Sequence, residues 1–131
     1  ELEAAKAPDA LNSGYFPADW DHPIPMKVIE QQTDLFGDGK ITLLPLPGHT
    51  LGTIGALVKL DRSGEFLLTS DALSVRANLD QEIVPKNTKN IEQFLQSFAE
   101  IRRIEKAGAT IVCSHDSAQW DSLRKGMDAY D

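Results

Sequence analysis

Cysteine is almost absent: Cys113 is the only one in 131 residues, so no internal disulfide can form. It lies inside an apolar run, Thr110 to Cys113, which suits a small buried hydrophobe rather than a nucleophile. Such sparing use of cysteine goes with a reducing compartment, and a cytoplasmic location is expected. Positive charge is also in short supply. With 13 Lys and Arg against 20 Asp and Glu, the formal net charge is −7. That balance argues against a nucleic-acid partner, which requires clustered positive charge. No apolar run approaches the ~18 residues that a membrane-spanning helix needs, so no membrane partner is expected. The chain has no internal repeat and no low-complexity segment. Histidine is limited to three residues, His22, His49 and His115, none close to another in sequence.

What is present suits a globular piece. A hydrophobic share of 41% beside a charged share of 25% permits a packed core, and one domain is the expectation for this length. Residues 1–26 read as an irregular cap. Glu1 to Ala10 fits at most a short helical turn, and the prolines at 17, 23 and 25 forbid long regular structure. Lys27 to Leu35 reads as extended, and Gly37-Asp38-Gly39 as a hairpin-like turn. Strands are predicted over Lys40–Leu46, Thr53–Leu60 and Glu65–Thr69. Their short connections imply antiparallel pairing. Ile91, Phe94, Leu95, Phe98, Ile101 and Ile104 fall at helical spacing, which predicts a helix from about Lys89 to Ala107. Asn87 or Thr88 is expected to cap its start and Gly108 to end it. A short buried strand, Thr110 to Cys113, follows. A last helix, capped by Asp116 or Ser117, would place Trp120, Leu123 and Met127 on one face. The fold class is therefore α/β (α+β).

Three strand ends carry candidate chemistry. Leu46-Pro47-Gly48-His49-Thr50-Leu51-Gly52 follows the first of the three strands, Ser70-Asp71-Ala72 the third, and Ser114-His115-Asp116 the short strand after the long helix. Loop tips at strand ends are where a sheet can converge side chains on one point, and imidazole and carboxylate suit zinc and similar divalent ions. Each residue also has a plainer reading. His49 alone fits a turn histidine bonded to backbone, Asp71 a turn-former at a strand end, and His115 a histidine preceding a helix. Asp116 reads first as a helix cap, with orientation of His115 as the lesser alternative. His22, Trp20, Phe16 and Tyr15 read as surface or packing residues.

The series Pro47-Gly48-His49-Thr50, Leu67-Leu68-Thr69-Ser70-Asp71-Ala72 and Cys113-Ser114-His115-Asp116, in this order and spacing, resembles the metallo-β-lactamase superfamily and, within it, the N-acyl homoserine lactonases. The resemblance runs from about Thr33 to the end. It implies that His49 binds one metal, that Asp71 bridges two and is the residue closest to the catalytic step, and that His115 binds the second. The implied cofactor is a pair of divalent ions, zinc by expectation. The implied reaction is metal-assisted hydrolysis of a lactone or related ester, with a small molecule as substrate. The family's remaining ligands come from a His-x-His-x-Asp-His segment, and this chain has none. It also opens on Glu1, with Met26 and Met127 as its only methionines. The expectation is a single partial domain over 1–131, the C-terminal half of a metallo-β-lactamase-type αββα sandwich. By itself the chain would be inactive, and its apolar sheet face would be covered by another copy, by a separate N-terminal half, or by its own Asn12 to Pro25 segment. The alternative is a non-catalytic fragment or interaction module that keeps part of the metal site. One departure stands out. Lactonases of this group commonly carry a tyrosine three residues after the bridging aspartate, and this chain has Ser74 there.

Overall fold

The computed structural model describes residues 1–131. One sheet of five strands runs in chain order: β1 (Thr33–Asp34), β2 (Ile41–Pro45), β3 (Ile54–Leu60), β4 (Gly64–Leu68) and β5 (Thr110–Val112). The first four strands are antiparallel neighbours, as their short connections require, and β5 joins β4 in parallel. A parallel neighbour needs a crossover. Here the crossover carries α3 (Arg76–Asp80) and the long α4 (Ile91–Lys106), with α5 (Ser117–Ser122) following β5. The mixed α/β class read from the sequence is the one observed.

The register sorts the sheet into two faces. Leu57 stands opposite both Thr42 and Leu67, and Leu67 opposite Ile111, so these side chains share one face. Leu44, Leu67 and Ile111 are buried there against Phe94, Phe98, Ile101 and Ile104 of α4. The two phenylalanine rings, 4.7 Å apart, form the centre of this core. On the other face Val58, Leu60, Phe66, Leu68 and Val112 line an apolar groove whose remaining wall is Trp120, Leu123, Arg124 and Tyr130. The Tyr130 ring meets Phe66 edge-on at 4.7 Å.

Several expectations need correction. The cap of α4 is Asn90, whose side chain accepts the Gln93 N–H at 3.0 Å, rather than Asn87 or Thr88. A cap must stand immediately before the first helical residue to reach those amides, and that residue is Ile91. Ile91 and Leu95 are exposed, so the buried stripe is narrower than the apolar spacing suggested. Ile91 lies in the first turn, and Leu95 stands about 100° around the helix from Phe94. The shared face of Trp120, Leu123 and Met127 does not form. The helix stops at Ser122, Leu123 is extended, and both Trp120 and Met127 are exposed. Only Thr33–Asp34 of the stretch expected to be extended pairs into the sheet.

The first 26 residues form short turns: α1 (Leu2–Ala5), a 3-10 turn at Ala10–Ser13 and α2 (Pro17–Trp20). The Glu1 carboxylate ties this cap to the rest, accepting the Tyr15 hydroxyl and the Gly52 N–H, each at 2.6 Å. The apolar groove on the outer sheet face is bounded by the last residues of the chain rather than by Asn12 to Pro25. No helix is long and apolar enough to cross a membrane.

Candidate metal centre

β2 and β4 both run antiparallel to β3, and β5 runs parallel to β4. The loops that leave β2, β4 and β5 therefore emerge at the same end of the sheet, each carrying one of the three singled-out residues.

The His49 turn is held by α4. Gly48 takes φ +135°, and its carbonyl accepts two N–H groups at the start of that helix, from Lys89 at 2.9 Å and Asn90 at 3.0 Å. Ser97, two turns further along the same side of the helix, donates its hydroxyl to the Pro47 carbonyl at 2.7 Å. A Cβ at position 48 would lie 2.4 Å from the backbone of Phe94, so only glycine lets the turn approach this closely. Buried Thr53 closes the other side, its hydroxyl accepting the Thr50 N–H at 3.1 Å.

Asp71 lies in a 3-10 turn, Ser70–Ala72, directly after β4. Thr69 locks the entry to that turn. Its N–H donates to the Val112 carbonyl at 3.1 Å, and its fully buried hydroxyl lies 2.9 Å from the same oxygen. Ser70 then takes φ +49°, a left-handed conformation uncommon for a residue with a Cβ, which turns the chain sharply. The loop after β5 runs alongside: the Ser114 N–H donates to the Leu73 carbonyl at 3.2 Å and the His115 N–H to the Ser74 carbonyl at 2.8 Å.

These three loops bring His49, Asp71 and His115 together. His115 Nε2 is 3.0 Å from Asp71 Oδ1, and His49 Nε2 is 3.7 Å from Asp71 Oδ2. Each imidazole thus faces a different oxygen of one carboxylate. No three His, Cys, Asp or Glu side chains surround a single point as a closed one-metal shell would. The side chains differ in exposure, 20% for His49, 42% for Asp71 and 68% for His115, so the cluster opens to solvent on the His115 side. The hydrogen bonds and ion pairs of the cluster do not include His22.

Sequence reasoning gave Ser114 no role of its own. Its hydroxyl donates to Asp71 Oδ1 at 3.1 Å, beside the His115 contact. The only signal for it was its position immediately before His115 at a strand end. Cys113, just upstream, is half-buried, and burial together with nearby Asp116 pushes its thiol up to about 11. Asp116 does cap α5, accepting the Gln119 N–H at 3.0 Å, and its backbone hydrogen bonds hold its carboxyl below the usual range. Both tyrosine hydroxyls have hydrogen-bond partners outside the cluster. The Tyr15 hydroxyl donates to Glu1, a bond that pushes the phenol up to about 12. The Tyr130 oxygen accepts the Arg124 N–H at 3.1 Å, on the far side of the sheet.

No protein-family model matches the chain. Its curated relatives include the N-acyl homoserine lactonase AttM of Azorhizobium caulinodans strain ORS 571, which is 31% identical over 138 aligned residues and aligns with 100% of this chain and 52% of its own length. The AttM of Rhizobium johnstonii strain 3841 is likewise 31% identical, with 99% of this chain and 52% of the relative aligned. The chain thus spans about half the length of the curated relatives it matches. Among solved structures, an N-acyl homoserine lactone hydrolase with the product N-hexanoyl-L-homoserine at its catalytic metal centre superposes with a TM-score of 0.83 at 27% identity, covering 100% of this chain and 50% of its own. A quorum-quenching N-acyl homoserine lactone lactonase gives the same TM-score at 28% identity, over 100% of this chain and 52% of its own. In sequence and in backbone, the chain resembles half of an N-acyl homoserine lactonase of the metallo-β-lactamase superfamily.

Proposed function

We propose that this chain contributes His49, Asp71 and His115 to a two-cation hydrolytic centre that opens an N-acyl homoserine lactone or a related ester, and that it is inactive or nearly so without further ligands. The observation that carries this reading is the shared carboxylate, with one imidazole 3.0 Å from Asp71 Oδ1 and the other 3.7 Å from Oδ2. The donor chemistry fits two divalent ions, zinc by expectation: the His49 and His115 imidazoles and the Asp71 carboxylate would hold them. When bound, such ions supply Lewis acidity toward a substrate carbonyl and toward water. In the net reaction water adds to the lactone carbonyl, the ring C–O bond breaks, and the released alkoxide takes up a proton.

The chain's own residues set the geometry for this. Asp71 fixes the spacing between the two imidazoles, and the Ser114 hydroxyl holds one of its oxygens in place. Three ligands leave two ions short of the usual four-coordinate shell. The missing donors correspond to the His-x-His-x-Asp-His segment that the resemblance implies. The relatives' activity on N-acyl homoserine lactones supports the substrate class, while Ser74 stands where lactonases of this group commonly carry a tyrosine.

The test combines metal content with turnover. The chain alone, with added zinc, is expected to show no lactonase rate near that of an intact enzyme. Added polypeptide carrying His-x-His-x-Asp-His is expected to restore both two bound ions and ring opening. If no metal binds in either case, the alternative stands: a non-catalytic interaction module that has kept the fold of this half.

A further inference from the structure

Asp116 does more than a cap requires. Capping α5 uses one carboxylate oxygen, Oδ1, on the Gln119 N–H. The other, Oδ2, accepts the N–H of Arg76 at 2.8 Å, from the first residue of α3. One carboxylate therefore joins the starts of two helices. Each helix directly follows a loop that carries a proposed ligand, Asp71 before α3 and His115 before α5.

Both helix starts are anchored from behind. The Gln119 side chain accepts the Cys113 N–H and donates to the Ile111 carbonyl, both at 2.8 Å, which fastens α5 to β5. The Arg76 guanidinium pairs with Asp80 of its own helix and with Glu105 of α4, which fastens α3 to the core helix. Between these anchors, the two loops touch through the Ser114–Leu73 and His115–Ser74 backbone bonds. Asp116 closes this ladder at its outer end. Without that closure, either loop can slide relative to the other, and the separation of Asp71 from His115 changes with it.

We propose that Asp116 is a positioning residue: by clamping the starts of α3 and α5 with its two oxygens, it fixes the Asp71–His115 separation at which a cation can be shared. This rests on the reading of those two residues as ligands.

The test uses Asp116→Asn and Asp116→Ser. Asparagine and serine cap helices about as well as aspartate, but neither offers a second acceptor to the Arg76 N–H. Amide hydrogen exchange is read on the metal-free chain, and cobalt(II) is titrated into it. In both variants, exchange at Ser114 and His115 is expected to rise at least tenfold while Gln119 in α5 and Leu67 in β4 keep their rates. Cobalt affinity is expected to fall about tenfold, the lower end of the usual cost of losing an outer-shell contact, with a changed visible spectrum. Unchanged exchange at Ser114 and His115 overturns the proposal and leaves Asp116 a cap alone; a uniform rise across the chain does so too, because it reports lost stability. If cobalt binds neither the unsubstituted chain nor that chain with added polypeptide carrying His-x-His-x-Asp-His, the ligand reading fails, and the exchange pattern still decides whether the clamp exists.

Discussion

At the scale of single residues, the structure separates groups that hold the site from groups that only resemble reactive ones. Cys113 belongs to the second kind. With its thiol pushed up to about 11 by burial, little thiolate exists near neutral pH. Alkylation by iodoacetamide at pH 8 is expected to run on the order of a hundredfold slower in the folded chain than in the denatured one; equal rates, followed by mass spectrometry, would contradict the burial. The same shift has a sign for stability. The folded state keeps the proton at a pH where the unfolded thiol has lost it. The contribution is therefore full below the unfolded value of about 8.5 and is lost as pH rises toward 11. Gly48 is the opposite case, a residue whose lack of a side chain is used. Gly48→Ala would drive a Cβ to 2.4 Å from the Phe94 backbone. Overpacking of this kind costs about 1–3 kcal/mol or more, and it should displace the His49 turn from α4. Urea titration gives the energy, and loss of slow exchange at the Lys89 and Asn90 amides gives the displacement.

At the scale of elements, α4 is the part whose removal would cost most. Phe98 is fully buried at the centre of the core, and Phe98→Ala is expected to cost about 3–5 kcal/mol, a large share of the ~5–15 kcal/mol typical of a domain. A drop below 1 kcal/mol in the urea midpoint analysis would mean that the face it packs on is not the core. This helix also shows what a sequence can and cannot reveal. Phe94, Phe98, Ile101 and Ile104 repeat at helical spacing because one stripe must meet the sheet, so the helix and its core face were legible. The cap was placed at Asn87 or Thr88 instead of Asn90 because all three are good capping types, and only the backbone path decides between them. The strand ends carrying His49, Asp71 and His115 were legible for a related reason: apolar runs that stop at Gly, Ser or Asp mark where strands leave the sheet. Which oxygen of Asp71 faces which imidazole was not, because that depends on the register of β4 against β5. Helix α3 escaped notice because five residues carry too little periodicity to show.

At the scale of the whole molecule, the sheet has one face filled by α4 and one that is only partly covered. Leu68 is half-exposed, and Tyr130 shields Phe66 at the far corner. Covering the apolar surface left on this face would be favourable at ~25 cal/mol per Å². The chain is therefore expected to associate through this face, with a second copy or with a polypeptide that supplies another sheet. Sedimentation should show species larger than one chain, and Leu68→Asp should reduce them to monomer without unfolding it. A strict monomer at high concentration, with no gain in stability from added partner, would count against this.

The order of strands carries a kinetic meaning. Three of the four strand pairings join strands linked by short connections, so most of the sheet can zip up from local hairpins at little entropic cost. Only the β4–β5 pairing must wait for a long loop to close, the loop that contains α3 and α4. Asp71 lies on one side of that closure and His115 on the other. The carboxylate and its nearer imidazole should therefore meet late, after the hairpins that carry His49 and Asp71 have formed. Pulse-labelled hydrogen exchange during refolding is expected to protect Leu57 and Leu67 before Ile111. On this view the cluster cannot half-form: its nearest pair of side chains exists only in chains that have completed the slowest step of their own assembly.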